Sequence, residues 1–133
     1  MSFKARYSTS KNLEENGVWV DFGDGVRVCV RRINSKVSKE VRRKLEKTYA
    51  SAFKGRDLPA ELVETIMIKQ LSQALVVDWE GVDPTDSGKV LPCTPENVEK
   101  VMTEFPDFRE DVLTACIERA TFQAEEIADA KGN

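Results

Sequence analysis

The stretch "VWVDFGDGVRVCVRRI" (residues 18–33) decides the fold class. Val18-Trp19-Val20-Asp21-Phe22 is rich in β-branched and aromatic residues, which fit a pleated surface. Gly23-Asp24-Gly25 is a tight turn, because glycine takes positive φ without a Cβ clash. Val26, Val28 and Val30 then alternate with Arg27, Cys29 and Arg31, the period of two of a strand. The segment reads as a β-hairpin spanning 17–33 with one apolar face. A lone hairpin is marginal in water, so that face must lie on something.

Beyond the hairpin the period becomes helical. Ser35 or Ser38 caps a helix in which Val37, Val41, Leu45, Tyr49 and Phe53 recur every four residues. Gly55 stops it. Pro59 suits the first turn of a second helix, about 59–78. Leu62, Val63, Ile66, Met67, Leu71, Ala74 and Leu75 form its stripe, with Ile68 and Val76 off it. As the most apolar element it should centre the core. Thr94 caps and Pro95 starts a third helix lined by Val98, Val101, Met102 and Phe105. Pro106 breaks it. Asp107 with Glu110 has the form of a capping box for a fourth helix. Phe108, Val112, Cys116, Ala120 and Ile127 are its inward positions, and Gly132 lies past its end. Residues 1–15 are polar and pattern-free, a loose start. The expectation is one domain over 1–133, helical from 35 to 131. Its class is α+β, mainly α: an N-terminal β-hairpin followed by about four helices packed as a small bundle.

The connector "VVDWEGVDPTDSGKVLPCTPEN" (76–97) carries four Asp or Glu in its first eleven residues. A calcium loop starting at Asp83 would need oxygen ligands at positions 1, 3 and 5, Gly at 6 and a bidentate Glu at 12. Positions 3, 5 and 6 are Thr85, Ser87 and Gly88, but position 12 is Thr94. One carboxylate with no closing Glu is a poor cage. Asp83-Pro84 and Ser87-Gly88 read instead as turns, and Val90-Leu91-Pro92 as a short extended piece.

There is no histidine, which removes the commonest general base and metal ligand. The three cysteines, Cys29, Cys93 and Cys116, are far apart in sequence and form neither a disulfide framework nor a CxxC zinc site. No carboxylate pair has a catalytic setting. The expectation is a non-enzyme with no cofactor and no metal. No apolar run reaches the roughly 18–20 residues a membrane span needs. The opening "MSFKARYSTSKN" has no apolar signal core, which points to a cytoplasm.

Charge is unevenly placed. Residues 1–57 carry 14 Lys or Arg against 7 Asp or Glu, and residues 58–133 carry 6 against 16. Two such halves attract each other within one chain or across neighbouring copies. Helix 36–47 is the basic centre, with Lys36, Lys39, Arg42, Arg43, Lys44 and Lys47. It reads first as a solvated face. Contact with an acidic protein surface is the functional reading, and a nucleic-acid surface a weaker one, since no aromatics are interleaved. Trp79 is either a core residue anchoring the connector or an aromatic anchor for a partner.

Residues 74–120, "ALVVDWEGVDPTDSGKVLPCTPENVEKVMTEFPDFREDVLTACIERA", resemble the tail assembly chaperones of long-tailed bacteriophages. The features are Trp79, Asp83, Gly88, Pro92, Thr94-Pro95-Glu96-Asn97 and Pro106. The hairpin, with Trp19, Phe22, its Gly turn and Arg31-Arg32, resembles the start of such proteins. The resemblance implies a chaperone that coats the tape measure protein in the bacterial host cytoplasm and is absent from the mature virion. It also implies a longer product, made by ribosomal frameshift, that recruits tail tube protein; this chain would be the shorter one. Self-association through the charge split is the accompanying expectation. Partner-contact candidates are Trp79, Phe108 and Val112, with Arg42 and Arg43 on the basic helix. Competing readings are a tail-completion or connector protein, and a DNA-binding regulator using helix 36–47.

Overall fold

A computed structural model describes residues 2–53 and 58–123. The hairpin is present: β1 (Val18–Asp21) pairs antiparallel with β2 (Arg27–Val30), with Val18 opposite Val30 and Val20 opposite Val28. Its apolar face lies on the chain's own core, where Val28 and Val30 are fully buried.

Four longer helices start after it near the expected places, but the fourth ends at Ile117, where Glu118 turns extended, instead of running on through Ala120. They are α3 (Lys36–Thr48), α4 (Ala60–Gln70), α5 (Pro95–Glu104) and α6 (Pro106–Ile117). The fold is α+β and mainly helical. Two shorter helices precede the hairpin, α1 (Phe3–Tyr7) and α2 (Lys11–Asn16), so residues 2–15 are not the loose start expected of them. Ser2 and Ser10 accept hydrogen bonds from the Ala5 and Leu13 amides and cap the two helices. At five and six residues they are too short to show a period in sequence.

The largest departure is at residues 71–80. The expected helix 59–78 ends as an α-helix at Gln70, widens into a π turn over Leu71–Leu75, and becomes a strand, β3 (Val76–Glu80). This strand pairs antiparallel with β2, giving a three-stranded sheet in the order β1-β2-β3. Val28 faces Trp79 and Val30 faces Val76, with an irregularity between Cys29 and Val30. Arg31 stabilises the change of structure. Its amide donates to Leu75 O at 2.8 Å, and its guanidinium donates to Ala74 O at 2.9 Å and Glu15 O at 2.8 Å. Carbonyls that a regular helix would have used internally are thus satisfied.

The sheet packs its inner face on the π turn, α5, α6 and a 3-10 turn at Arg119–Phe122. Leu71, Leu75, Val98, Met102, Val112 and Phe122 form the centre of the core. Several side chains depart from their expected positions. Ser38 replaces Val37 on the inner face of α3; its hydroxyl accepts from Gln70 Nε2 at 2.7 Å. Ile68 and Val76 are buried, whereas Val63, Phe105 and Ala120 are exposed. The Asp107 capping box is not formed. Phe105 occupies the N-cap of α6 and Pro106 its first turn, so the helix starts before Asp107 can cap it. Gly55, Ile127 and Gly132 lie outside the described residues.

Candidate functional site

The connector from β3 to α5 is an ordered loop built by its own side chains. Asp83 accepts from the amides of Ser87 at 3.2 Å and Gly88 at 2.8 Å. Desolvation raises the pKa of this carboxyl, but the hydrogen bonds from Gly88, Ser87 and Thr85 outweigh it and hold it below the ordinary value. The carboxylate at the first position of the possible calcium loop is therefore engaged by the loop itself. Among the described residues, no three Cys, Asp or Glu converge as a metal cage. Leu91 closes the loop by donating its amide to Val82 O at 2.8 Å. Thr94 Oγ1 accepts from the Asn97 amide at 3.2 Å, and Asn97 Nδ2 donates to Pro92 O at 2.9 Å, so the Thr-Pro-Glu-Asn run is one capping unit.

Trp79 sits on β3, not at a helix end, and is 5% exposed. Its indole Nε1 donates to Leu91 O at 2.7 Å and ties the connector to the sheet. Val112 is fully buried in α6. Neither is at the surface. Phe108 is half-buried, edge-on to Phe22 at 5.9 Å between ring centroids. Arg42 pairs along α3 with Glu46 at 2.9 Å. Arg43 is exposed beside Lys44 and Lys47. The structure therefore does not bring the five candidates together.

It forms instead an apolar groove of about 390 Å³ where the hairpin turn, the connector and the α5–α6 corner meet. Val26, Val82, Val101, Phe105 and Phe108 are its apolar lining, with Asp24, Asp83 and Asp86 beside them. Gly81 makes this meeting possible. Its φ is +74°, and a Cβ there would come within 2.1 Å of Gly25 O. Helical spacing singles out Phe108 but not the groove, because the groove's parts come from three segments brought together only by the β2–β3 pairing.

A second exposed feature is the outer face of the sheet. Trp19 is 37% exposed there, with the Arg27 guanidinium 5.1 Å from its ring centroid, and Val77 is exposed on β3, across β2 from it. Arg27 also meets Glu80 at 3.3 Å across the strands.

The cysteines are not activated. Burial pushes the Cys116 thiol up to about 12 and, with the charge of Asp78 and the neighbouring Cys29, the Cys93 thiol up to about 11. Burial likewise raises Cys29, with Asp78 adding to it. Thiols so shifted carry little thiolate at neutral pH. No described helix is long and apolar enough to cross a membrane.

These features define a small α+β protein with an apolar groove and exposed apolar and charged residues on its sheet. Residues 33–133 match the family model described as YdaY prophage protein, and the chain belongs to that family. It is a prophage protein. No curated protein and no solved structure matches it.

Proposed function

We propose that this prophage protein is a tail assembly chaperone: it binds the tape measure protein, keeps it soluble in the host cytoplasm and helps bring tail tube subunits to it. The supporting observation is an overlap. The prophage family match over residues 33–133 contains the whole of residues 74–120, whose pattern resembles tail assembly chaperones. A long helical partner with unburied apolar faces aggregates unless it is coated. Coating needs many weak contacts that polymerising tube protein can displace. The outer sheet face, with Trp19 and Val77 exposed, is a surface of that kind.

Co-expression with the tape measure protein of the same prophage tests the reading. The expected result is a soluble tape measure that co-purifies with this chain and is lost to the pellet without it. Trp19→Ser is expected to weaken co-purification while leaving the fold intact. A tape measure equally soluble alone, or this chain found in purified particles by mass spectrometry, would overturn the proposal. The particle result would identify a completion or connector protein instead. A DNA-binding role for α3 predicts gel shifts that weaken steeply with salt.

A further inference from the structure

The groove at the α5–α6 corner has a complement elsewhere on the same molecule. α1 has the sequence Phe3-Lys4-Ala5-Arg6-Tyr7 and buries none of its residues. Phe3 is 80% exposed and Tyr7 48% exposed, and their rings lie 4.8 Å apart between centroids. Lys4 and Arg6 are the charges of this helix, and it has no acidic residue. The groove is its opposite in charge: apolar within, with Asp24, Asp83 and Asp86 around it. Asp107 and Asp111 are exposed on α6 next to it in sequence.

The two surfaces are at opposite ends of α6. Phe105 and Phe108 place the groove at the start of that helix. α1 is fixed just past its end: Gln123 Nε2 donates to Arg6 O at 2.9 Å and Ser8 O at 2.8 Å, and the Arg119 guanidinium lies 4.6 Å from the Tyr7 ring centroid. Twelve residues of helix at about 1.5 Å each separate the two sites by about 18 Å. While α1 keeps these contacts, it cannot fill the groove of its own chain.

We propose that α1 of one copy docks in the groove of a second, Phe3 entering the apolar cleft while Lys4 and Arg6 face its aspartates. Donor and acceptor surfaces differ, so the contact is heterologous and runs head to tail. The proposal stands independently of the tail-assembly reading. A contact made by one five-residue helix belongs to the weak, transient class. Its ion pairs lie at the rim, where salt screens them.

Sedimentation velocity on the full chain tests this, from about 5 µM to about 500 µM, a range that brackets weak association. The expected result is a mean mass that rises with concentration and falls when salt is raised from about 50 mM to about 500 mM. Two variants separate the halves of the contact. Phe3→Ser removes the anchor and keeps the groove. Asp24→Asn with Asp86→Asn removes groove charge and keeps α1; Asn tolerates the positive φ of 53° and 50° at these positions. Each variant alone is expected to associate about tenfold or more weakly than the native chain. Mixed in equal amounts, they are expected to form heterodimers that grow no further, because one intact α1 meets one intact groove. Circular dichroism confirms that each is folded. A native chain that stays monomeric throughout would overturn the proposal. So would variants that associate like the native chain, which would show copies meeting elsewhere, or a mixture no more associated than its components.

Discussion

Glu14 is 2% exposed, yet it carries a charge. Its carboxylate meets the Arg32 guanidinium, accepts from Thr9 Oγ1 at 2.8 Å and pairs with Lys11 at 3.2 Å. Arg32 in turn lies over the Phe122 ring, and its amide donates to Glu14 O. This cluster joins α2, the end of β2 and the turn after α6, and it is why a polar opening segment is ordered. Desolvation raises the pKa of Glu14, but the hydrogen bonds from Arg32, Thr9 and Lys11 prevail and hold it below its ordinary 4.5. A depressed carboxyl pKa gives stability that is present above the unfolded value and lost as pH falls through the folded one. Glu14→Gln keeps the shape and leaves Arg32 unpaired, so it is expected to cost about 2–3 kcal/mol at pH 7, below the range for breaking a fully buried pair because Arg32 is partly exposed. Urea unfolding checks this in both chains at pH 7 and near pH 3. The gap between native and variant is expected to narrow as pH falls below the ordinary 4.5, because the unfolded chain then takes up a proton that the folded carboxylate resists. An equal gap at both pH values would show that Glu14 acts through packing alone.

At the scale of elements, the passage from α4 through the π turn to β3 determines the architecture. Trp79 has two roles there: its ring fills the space under the sheet opposite Val28, and its indole N–H holds Leu91 O. Trp79→Phe keeps most of the packing and orphans a carbonyl, an expected loss of about 1–2 kcal/mol. Trp79→Ala also opens a cavity, an expected loss of about 3–5 kcal/mol. Chemical denaturation distinguishes the two, and a loss below about 0.5 kcal/mol for Trp79→Ala would contradict a core role. The same passage marks the limit of what is legible in the sequence. The hairpin can be read because Val26, Val28 and Val30 alternate about a Gly turn, and α5 because Thr94 and Pro95 mark its start. Residues 71–79 cannot. Leu71, Ala74, Leu75, Val76, Val77 and Trp79 are apolar whether read at period two or 3.6, and a buried strand and a buried helix look alike over so short a run. What distinguishes them lies far away in sequence: β2, which pairs with residues 76–80, and Arg31, 43 residues from the Ala74 carbonyl it binds. The groove is hidden with β3, since Val82 and Asp83 reach Phe108 only through the pairing of β2 with β3. Phe108 stands out by its helical spacing. Trp79 and Val112 stand out as apolar landmarks, but spacing does not distinguish a buried landmark from an exposed one.

For the whole molecule, the family match and the folding unit have different boundaries. The match begins at residue 33, beyond both strands of the hairpin. The structure places β2 at the centre of the sheet, with β3 as its neighbour on one side. Without residues 2–32, β3 loses every backbone partner in the sheet, and Val76 and Trp79 lose the valines they pack on. The Arg31 donors to Ala74 and Leu75 are lost too, along with the amide contact of Lys36 to Glu15 at 3.0 Å that helps start α3. Exposing a strand edge and an apolar sheet face together is a route to aggregation as well as to unfolding. A fragment of residues 33–133 is therefore expected to show helical circular dichroism without a cooperative thermal transition, and to bind a hydrophobic dye more strongly than the full chain does. Adding residues 2–32 as a separate peptide is expected to restore part of the transition, because the hairpin face and Arg31 would again be supplied. A fragment that melted as sharply as the full chain would mean that residues 33–133 fold alone, with the hairpin attached to a finished core.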